Sequence, residues 1–358
     1  MSGGITQLVA IGAQDAHLVG DPQVSFFRSN YKRHTNFAHV IERSTIQGNP
    51  SQSGMSSVRF ERKGDLLGYV YITAVNTGAS PNPSIAVTEA DIDKIEFLIG
   101  GQVIDTQDAI YSLNIGARLG TSAAGKASID TTSATGMNNL VYPLHFSFCE
   151  NWQSAIPMVA LQYHDVEIRI RWASAAPVAN RRYSVHSSFI YLDTAEREEL
   201  SNTPQDMLIT QVQKAITSGS KVQELNFNHP VKFLAAYRNI VDTPPSDKLR
   251  LQVNGVDVGE ERVYEPHFNS APYYFHCPFA LPDGLTGTPG DGFLYPFCLE
   301  TNKLQPTGTL NFSRLDSARL ITDSTNGILA ADTGSDIYGV NYNILRIQNG
   351  MGGLMYAN

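Results

Sequence analysis

The chain has 358 residues, a formal net charge of −8 and only 17% charged residues. An acidic balance argues against a general nucleic-acid coat, which needs surplus Lys and Arg to neutralise phosphate. No apolar run approaches the roughly 18 residues of a membrane span, so the product is expected to be soluble when made. Three cysteines (Cys149, Cys277, Cys298) cannot all pair and lack CxxC spacing, which speaks against a disulfide framework or structural zinc and fits a reducing compartment. The length predicts two domains. Charge below the typical ~25% favours a surface partly hidden against partners, although sandwiches rich in Ser, Thr, Asn and Gly are low in charge as well.

In chain order, Ile5 to Ile11 reads as a short helix with Ile5, Leu8 and Val9 on one face. Period-2 patterns follow at 57–62, 68–75, 94–105, 140–148, 165–172, 185–192, 222–228, 231–237, 248–259, 293–299, 308–315 and 340–347. The cleanest is Asp165 to Trp172, where Val166, Ile168, Ile170 and Trp172 share one face and Glu167, Arg169 and Arg171 the other. Stretches 76–84, 120–139, 281–292 and 322–336 read as surface loops, being too polar to build a core. Residues 194–214 read as a helical connection with Thr194 as cap and Pro204 as an interruption. Many short strands with Gly, Pro and Asn between them indicate an all-β sandwich or jelly roll rather than βαβ units.

The chain also repeats itself. KIEFLIGGQVID (94–105) and KLRLQVNGVDVG (248–259) align at an offset of 154, with Lys94 on Lys248, Ile99 on Val253 and Gly101 on Gly255. Both read as strand, tight turn, strand, and Asn254-Gly255 is the residue pair a type I′ turn requires. Tyr142-Pro143 matches Tyr295-Pro296 at 153, and Asp165 matches Asp316 at 151. Three matches on one diagonal predict two tandem copies of one β domain.

Several strings resemble the major capsid protein of nucleocytoplasmic large DNA viruses, particularly those of algae: ITQLVAIGAQDAHLVGDPQVSFFRSNYKRHTNFA (5–38), VALQYHDVEI (159–168), the 191–213 segment, NHPVKFL (228–234), QPTGTLNFSRLD (305–316) and NYNILRIQNGMGGLMYAN (341–358). They occur in the family's order. The resemblance implies two consecutive eight-stranded jelly rolls and a homotrimer of hexagonal outline that tiles an icosahedral shell over an internal membrane. The expected division is an N-terminal arm (1–25), jelly roll 1 (26–193), a connection (194–214) and jelly roll 2 (215–358). The implied partners are its own copies in the trimer, neighbouring capsomers, minor capsid proteins and the membrane, in a virion assembled in host cytoplasm. The same fold serves minor capsid paralogues, and the composition also allows a carbohydrate-binding β-sandwich.

Candidate contact residues lie in FFRSNYKRHTNF (26–37), where Arg28, Lys32, Arg33 and His34 alternate with Phe26, Phe27, Tyr31 and Phe37. By composition this cluster could pack locally, meet a partner or stack on nucleic acid. The resemblance places it on the inner side of the capsomer, making Arg28, Tyr31, Lys32 and Arg33 candidate partner contacts, with no direct nucleic acid expected. Catalytic signatures are lacking: there is neither GxSxG nor GxxxxGK[ST]. His267, His276 and Cys277 match no metal spacing, and Asp283 and Asp291 fall in Gly-Pro loops, so no enzyme, cofactor or metal is expected. His145 and His164 lie in strand patterns, where histidines are mostly structural. The sequon Asn311-Phe312-Ser313 lies inside a strand pattern and is expected to stay unmodified.

Overall fold

The computed structural model describes residues 4–6, 12–29, 31–120, 140–174, 180–237, 247–277, 292–323 and 336–357. Two compact units are present, Met1–Asn36 and Phe37–Asn358. The first holds helical residues at 4–6 and short helical turns at Ala13–Asp15 and Ala16–Val19, and is otherwise extended. Of the expected Ile5–Ile11 helix, residues 7–11 lie outside the described residues.

The second unit contains two lobes. The first is built from β1 (Phe37–Ser44), β2 (Ile46–Gln47), β3 (Met55–Arg59), β4 (Leu66–Asn76), β5 (Ser84–Ile85), β6 (Ile92–Ile99), β7 (Gln102–Asp108), β8 (Tyr142–Pro143), β9 (Ile156–Pro157), β10 (Val166–Trp172) and β11 (Arg181–Leu192). One sheet runs β1-β11-β4-β5 with β8 and β9 also on β4, and the other runs β2-β3-β10-β6-β7. Alternation decides which side chains fill the space between them. In β10, Val166, Ile168, Ile170 and Trp172 are buried, while Arg169 reaches Glu96 at 3.4 Å on the wet face. Trp172 keeps its indole N–H satisfied by donating to Ser56 Oγ at 2.9 Å.

The second lobe repeats the plan with β12 (Gln205–Ala215), β13 (Val222–Glu224), β14 (Pro230–Tyr237), β15 (Lys248–Val253), β16 (Val256–Val263), β17 (Gly292–Pro296), β18 (Leu310–Asn311), β19 (Ala318–Thr322), β20 (Ile337–Gln348) and β21 (Met351–Leu354). Its sheets run β12-β20-β14-β17 and β13-β19-β15-β16. The crossing pattern equals that of β1-β11-β4 and β3-β10-β6-β7, so the fold is a double jelly roll.

Backbone register tests the repeat residue by residue. Ile99 pairs with Gln102 around Gly100-Gly101, and Val253 pairs with Val256 around Asn254-Gly255, which confirms the offset of 154. Pro143 and Tyr142 lie opposite Tyr71 and Ile72 of β4, while Pro296 and Tyr295 lie opposite Phe233 and Leu234 of β14. The third match needs correction. Gly100 donates its N–H to Asp165 O and Asn254 donates to Ser317 O, both at 2.8 Å. Asp165 therefore corresponds to Ser317, one residue beyond Asp316, at an offset of 152.

Three other expectations change. Residues 194–214 form a helix only over Thr194–Asn202, and Gln205–Ala215 is β12, paired along its length with β20. Pro204 stands at the junction, where it forbids continuation of the helix. The 140–148 pattern is the two-residue β8 followed by a helical turn, Ser147–Glu150, which lets both Phe146 and Phe148 enter the core. In 308–315, β18 gives way to a 3-10 turn at Phe312–Arg314 because the Asn311 side chain accepts the Ser313 N–H at 3.1 Å. The loops at 120–139, 281–292 and 322–336 fall almost wholly outside the described residues.

Candidate functional site

With β10 and its neighbours closing each lobe, the chemistry left to examine lies on faces. The largest internal one is the seam between lobes. Strand β7 lies along β12, and Val212 donates its N–H to Asp105 Oδ1 at 2.9 Å. Gln211 donates to Ile104 O, and Gln107 donates to Asp105 Oδ2 and to His145 O, both at 2.9 Å. Burial pushes the Asp105 carboxyl up to about 7, against the N–H donors that pull it down. At the end of the seam Lys214 reaches Asp108 at 2.9 Å and Asp336 at 2.6 Å, and the Tyr338 hydroxyl donates to Asp108 at 2.7 Å.

After β7 the chain winds into a helical segment, Tyr111–Gly116 followed by Ala117–Gly120. Tyr111, Ile115 and Leu119 lie on one stripe at i, i+4 and i+8 and pack on Phe233, Ala235, Leu294, Tyr338 and Val340 of the second lobe. Strands β14 and β20 are therefore buried on both faces: Leu234, Ala236 and Ile337 point into their own lobe, and Phe233, Ala235 and Val340 into the seam. A second tie comes from β21. Gly350 O accepts the Tyr163 N–H at 2.9 Å, and His164 Nδ1 lies 3.0 Å from Gly352 O.

The four candidate contact residues, Arg28, Tyr31, Lys32 and Arg33, lie in the first unit and are all exposed. Phe26 is 94% exposed and Phe27 fully so. Among the described residues none of the four basic or tyrosine side chains enters an ion pair, which weakens the reading that this cluster is held by local packing.

Of the metal-capable residues, His267 and His276 line an open cavity of about 280 Å³ with Arg262, Phe268 and Phe275. His276 Nδ1 lies 2.9 Å from Cys298 O, and Thr301 donates its hydroxyl to Cys277 Sγ at 3.2 Å, so both are engaged by the protein itself. Among the described residues no three His, Cys, Asp or Glu converge to hold a metal. Burial lowers His145 to about 4, leaving it neutral in the core. The Asn311 side chain is occupied in its turn, as noted above, and Asp283 and Asp291 lie outside the described residues.

Two family matches cover most of the chain: residues 25–203 match the major capsid protein N-terminus, and residues 241–353 match the large eukaryotic DNA virus major capsid protein. This chain belongs to that family. It is 33% identical to the major capsid protein of Pyramimonas orientalis virus and 32% identical to that of Paramecium bursaria Chlorella virus 1, each over the whole of both chains. The solved PBCV-1 virus capsid chain superposes with a TM-score of 0.75 at 27% identity, covering 93% of this chain and all of the other. The Faustovirus major capsid protein shares the fold, with a TM-score of 0.61 at 11% identity over 94% of each chain. Within this family of capsid proteins, the sequence reading overlooked β1, β19 and the two helical segments after β7 and β16. Their apolar residues serve faces outside their own lobe, so no single-lobe periodicity marks them.

Proposed function

We propose that this chain is a structural major capsid protein whose homotrimers, hexagonal in outline, tile an icosahedral shell. The observation that carries the reading is the two-lobed body of one repeated fold, joined by a wide apolar seam, in a chain related end to end to major capsid proteins. Three such bodies present six similar lobes, and one heterologous contact that turns by a third of a circle closes and stops. Permanent contacts of this kind commonly bury 2,000 Å² or more. Trimers of this size hold together on dilution, while contacts between capsomers are weaker and allow misplaced neighbours to leave. The role is non-enzymatic.

The partners in this reading are neighbouring capsomers, minor capsid proteins and the internal membrane, in a virion assembled in host cytoplasm. The exposed cluster of Arg28, Tyr31, Lys32 and Arg33 serves the inner-face partners: it is cationic, aromatic and unpaired. Neutralising Arg28, Lys32 and Arg33 together is expected to leave trimers intact and lower shell yield; unchanged yield would remove that assignment. The trimer itself is tested by light scattering across about a thousandfold dilution, where mass action would dissociate a weak complex. The expected mass is three times 39.2 kDa throughout, and a stable monomer would defeat the capsomer reading.

A further inference from the structure

We propose that copies join through the elements that join the two lobes within one chain, moved along by one lobe: β16 of one copy lies against β1 of the next, and the helix Ser270–His276 covers the outer face of the β1-β11-β4 sheet. The proposal rests on the homotrimer reading and assigns it residues.

The repeat gives the correspondence. Within the chain, β7 and the helical segment after it belong to lobe 1, and they cover β12 and the outer face of β14 and β20. Strand β16 is the counterpart of β7, β1 is the counterpart of β12, and residues 264–277 follow β16 as 109–120 follow β7. Both helical segments also lean on their own lobe: Gly116 lies against His145 just beyond β8, and Tyr273 packs with Leu294 of β17. The outer faces match rung by rung. Phe233 pairs with Val340 and Ala235 with Tyr338, while Tyr71 pairs with His186 and Thr73 with Ser184.

The first set is buried under the helical segment of lobe 1; the second has no cover within the chain. Instead it carries a row of rings, His39, Tyr69, Tyr71 and His186, with successive centroids 6.4, 6.4 and 5.0 Å apart. The elements that would meet it are also bare. Tyr274 and Phe275 are 73% and 72% exposed on the helix, Val256 and Val258 stand out from β16, and Val40 and Ile41 from edge strand β1. An edge strand with exposed apolar residues is a liability unless something covers it. A second copy supplies both missing halves at once.

Charge agrees. Glu260 and Glu265 flank the β16 side, Arg43 and Arg182 the receiving sheet, and among the described residues none of these four has an ion pair. Chemistry differs between the seams in the direction expected of parts that must first exist in water. Phe, Ala, Leu and Val line the covered face, whereas Tyr, Thr, Ser and His line the bare one. On the strands, Asp105 lies opposite Phe97 and Val258 lies opposite Leu251, so the buried carboxylate inside the chain becomes a valine between copies.

The test begins with the wild-type mass. In wild-type trimers, Tyr274→Asp with Phe275→Asp, and separately Tyr71→Asp, are expected to raise the dissociation midpoint by at least about a hundredfold, as loss of a central interface anchor does. Near-UV circular dichroism and the unfolding midpoint stay those of a folded monomer. Trp152→Ser, at a site 83% exposed away from these faces, leaves the mass unchanged. Trimers that persist at the wild-type midpoint in both variants would overturn the assignment. Should the aspartate variants fail to fold, Tyr71→Cys combined with Phe275→Cys decides: chains linked to one another on a non-reducing gel support the seam, and a wild-type-like trimer without linked chains overturns it. A wild-type monomer would instead overturn the trimer reading on which the proposal stands.

Discussion

Hairpins β6–β7 and β15–β16 have the same turn, with Gly101 and Gly255 at φ of +83° and +80°, and equivalent pairing across it. Around the first hairpin, β12, β21 and the helical segment close in, and Ile104, Asp105 and Gln107 are buried; around the second nothing closes, and β16 is exposed along almost its whole length. The backbone plan is therefore set by local turn chemistry and alternation, which both copies share. The side chains on the outer faces are set by what each face meets, which the copies do not share.

The largest expected effect comes from matched positions on the two outer faces. Phe233→Ala removes a ring buried in the seam and is expected to cost about 3–5 kcal/mol in urea unfolding. Tyr71→Ala, its counterpart on the bare face, leaves monomer stability within about 1 kcal/mol, as expected of a partly exposed site. Equal losses would break the comparison. A smaller contrast separates the turns. An added Cβ at Gly100 would lie 2.5 Å from the His164 ring, whereas the Asn254 side chain accepts the N–H groups of Asp316 and Ser317 at 2.9 and 3.1 Å. Gly100→Asn is expected to cost about 1–3 kcal/mol by overpacking, and Asn254→Gly about 1 kcal/mol for lost hydrogen bonds; guanidinium midpoints of the two variants measure both.

The smallest net effect is a pH dependence confined to the first hairpin. Asp105 holds its proton up to about 7 in the folded chain and only to about 3.8 when unfolded. The folded state thus binds more protons between those values, and this group's contribution to stability falls as pH rises from about 4 to about 7. Asp206, held low by its hydrogen bond from Arg346, works in the opposite sense and reduces the net slope. Comparing urea midpoints of wild type and Asp105→Asn at pH 5 and pH 8 isolates the term: the variant is expected to gain relative stability at the higher pH.

What was legible in the sequence follows the same division. Strand β10 and both hairpins were readable because one face of each is buried within its own lobe. Strand β12 was taken as part of a helical connection because Gln211, a polar residue, occupies a fully buried position that an isolated strand would give to an apolar one. Strand β1 was missed because Phe37, Val40 and Ile41 are exposed, with no inner face to set a period. For the candidate contacts, composition picked out Arg28, Tyr31, Lys32 and Arg33, and the structure adds their exposure. The seam residues Tyr111, Ile115 and Tyr338 had no signal, since they are packed by elements distant in sequence.

The tie made by β21 has a consequence for the order of events during synthesis. Residues 350–354 emerge from the ribosome after every strand of both lobes. Yet it is Gly350 and Gly352 that meet Tyr163 and His164 of the first lobe, and Leu354 that packs on its core. A nascent chain can complete its first lobe early, but the clasp between lobes closes only when this last strand is free to pair with β20, which acts as a built-in check that the chain was translated past both lobes.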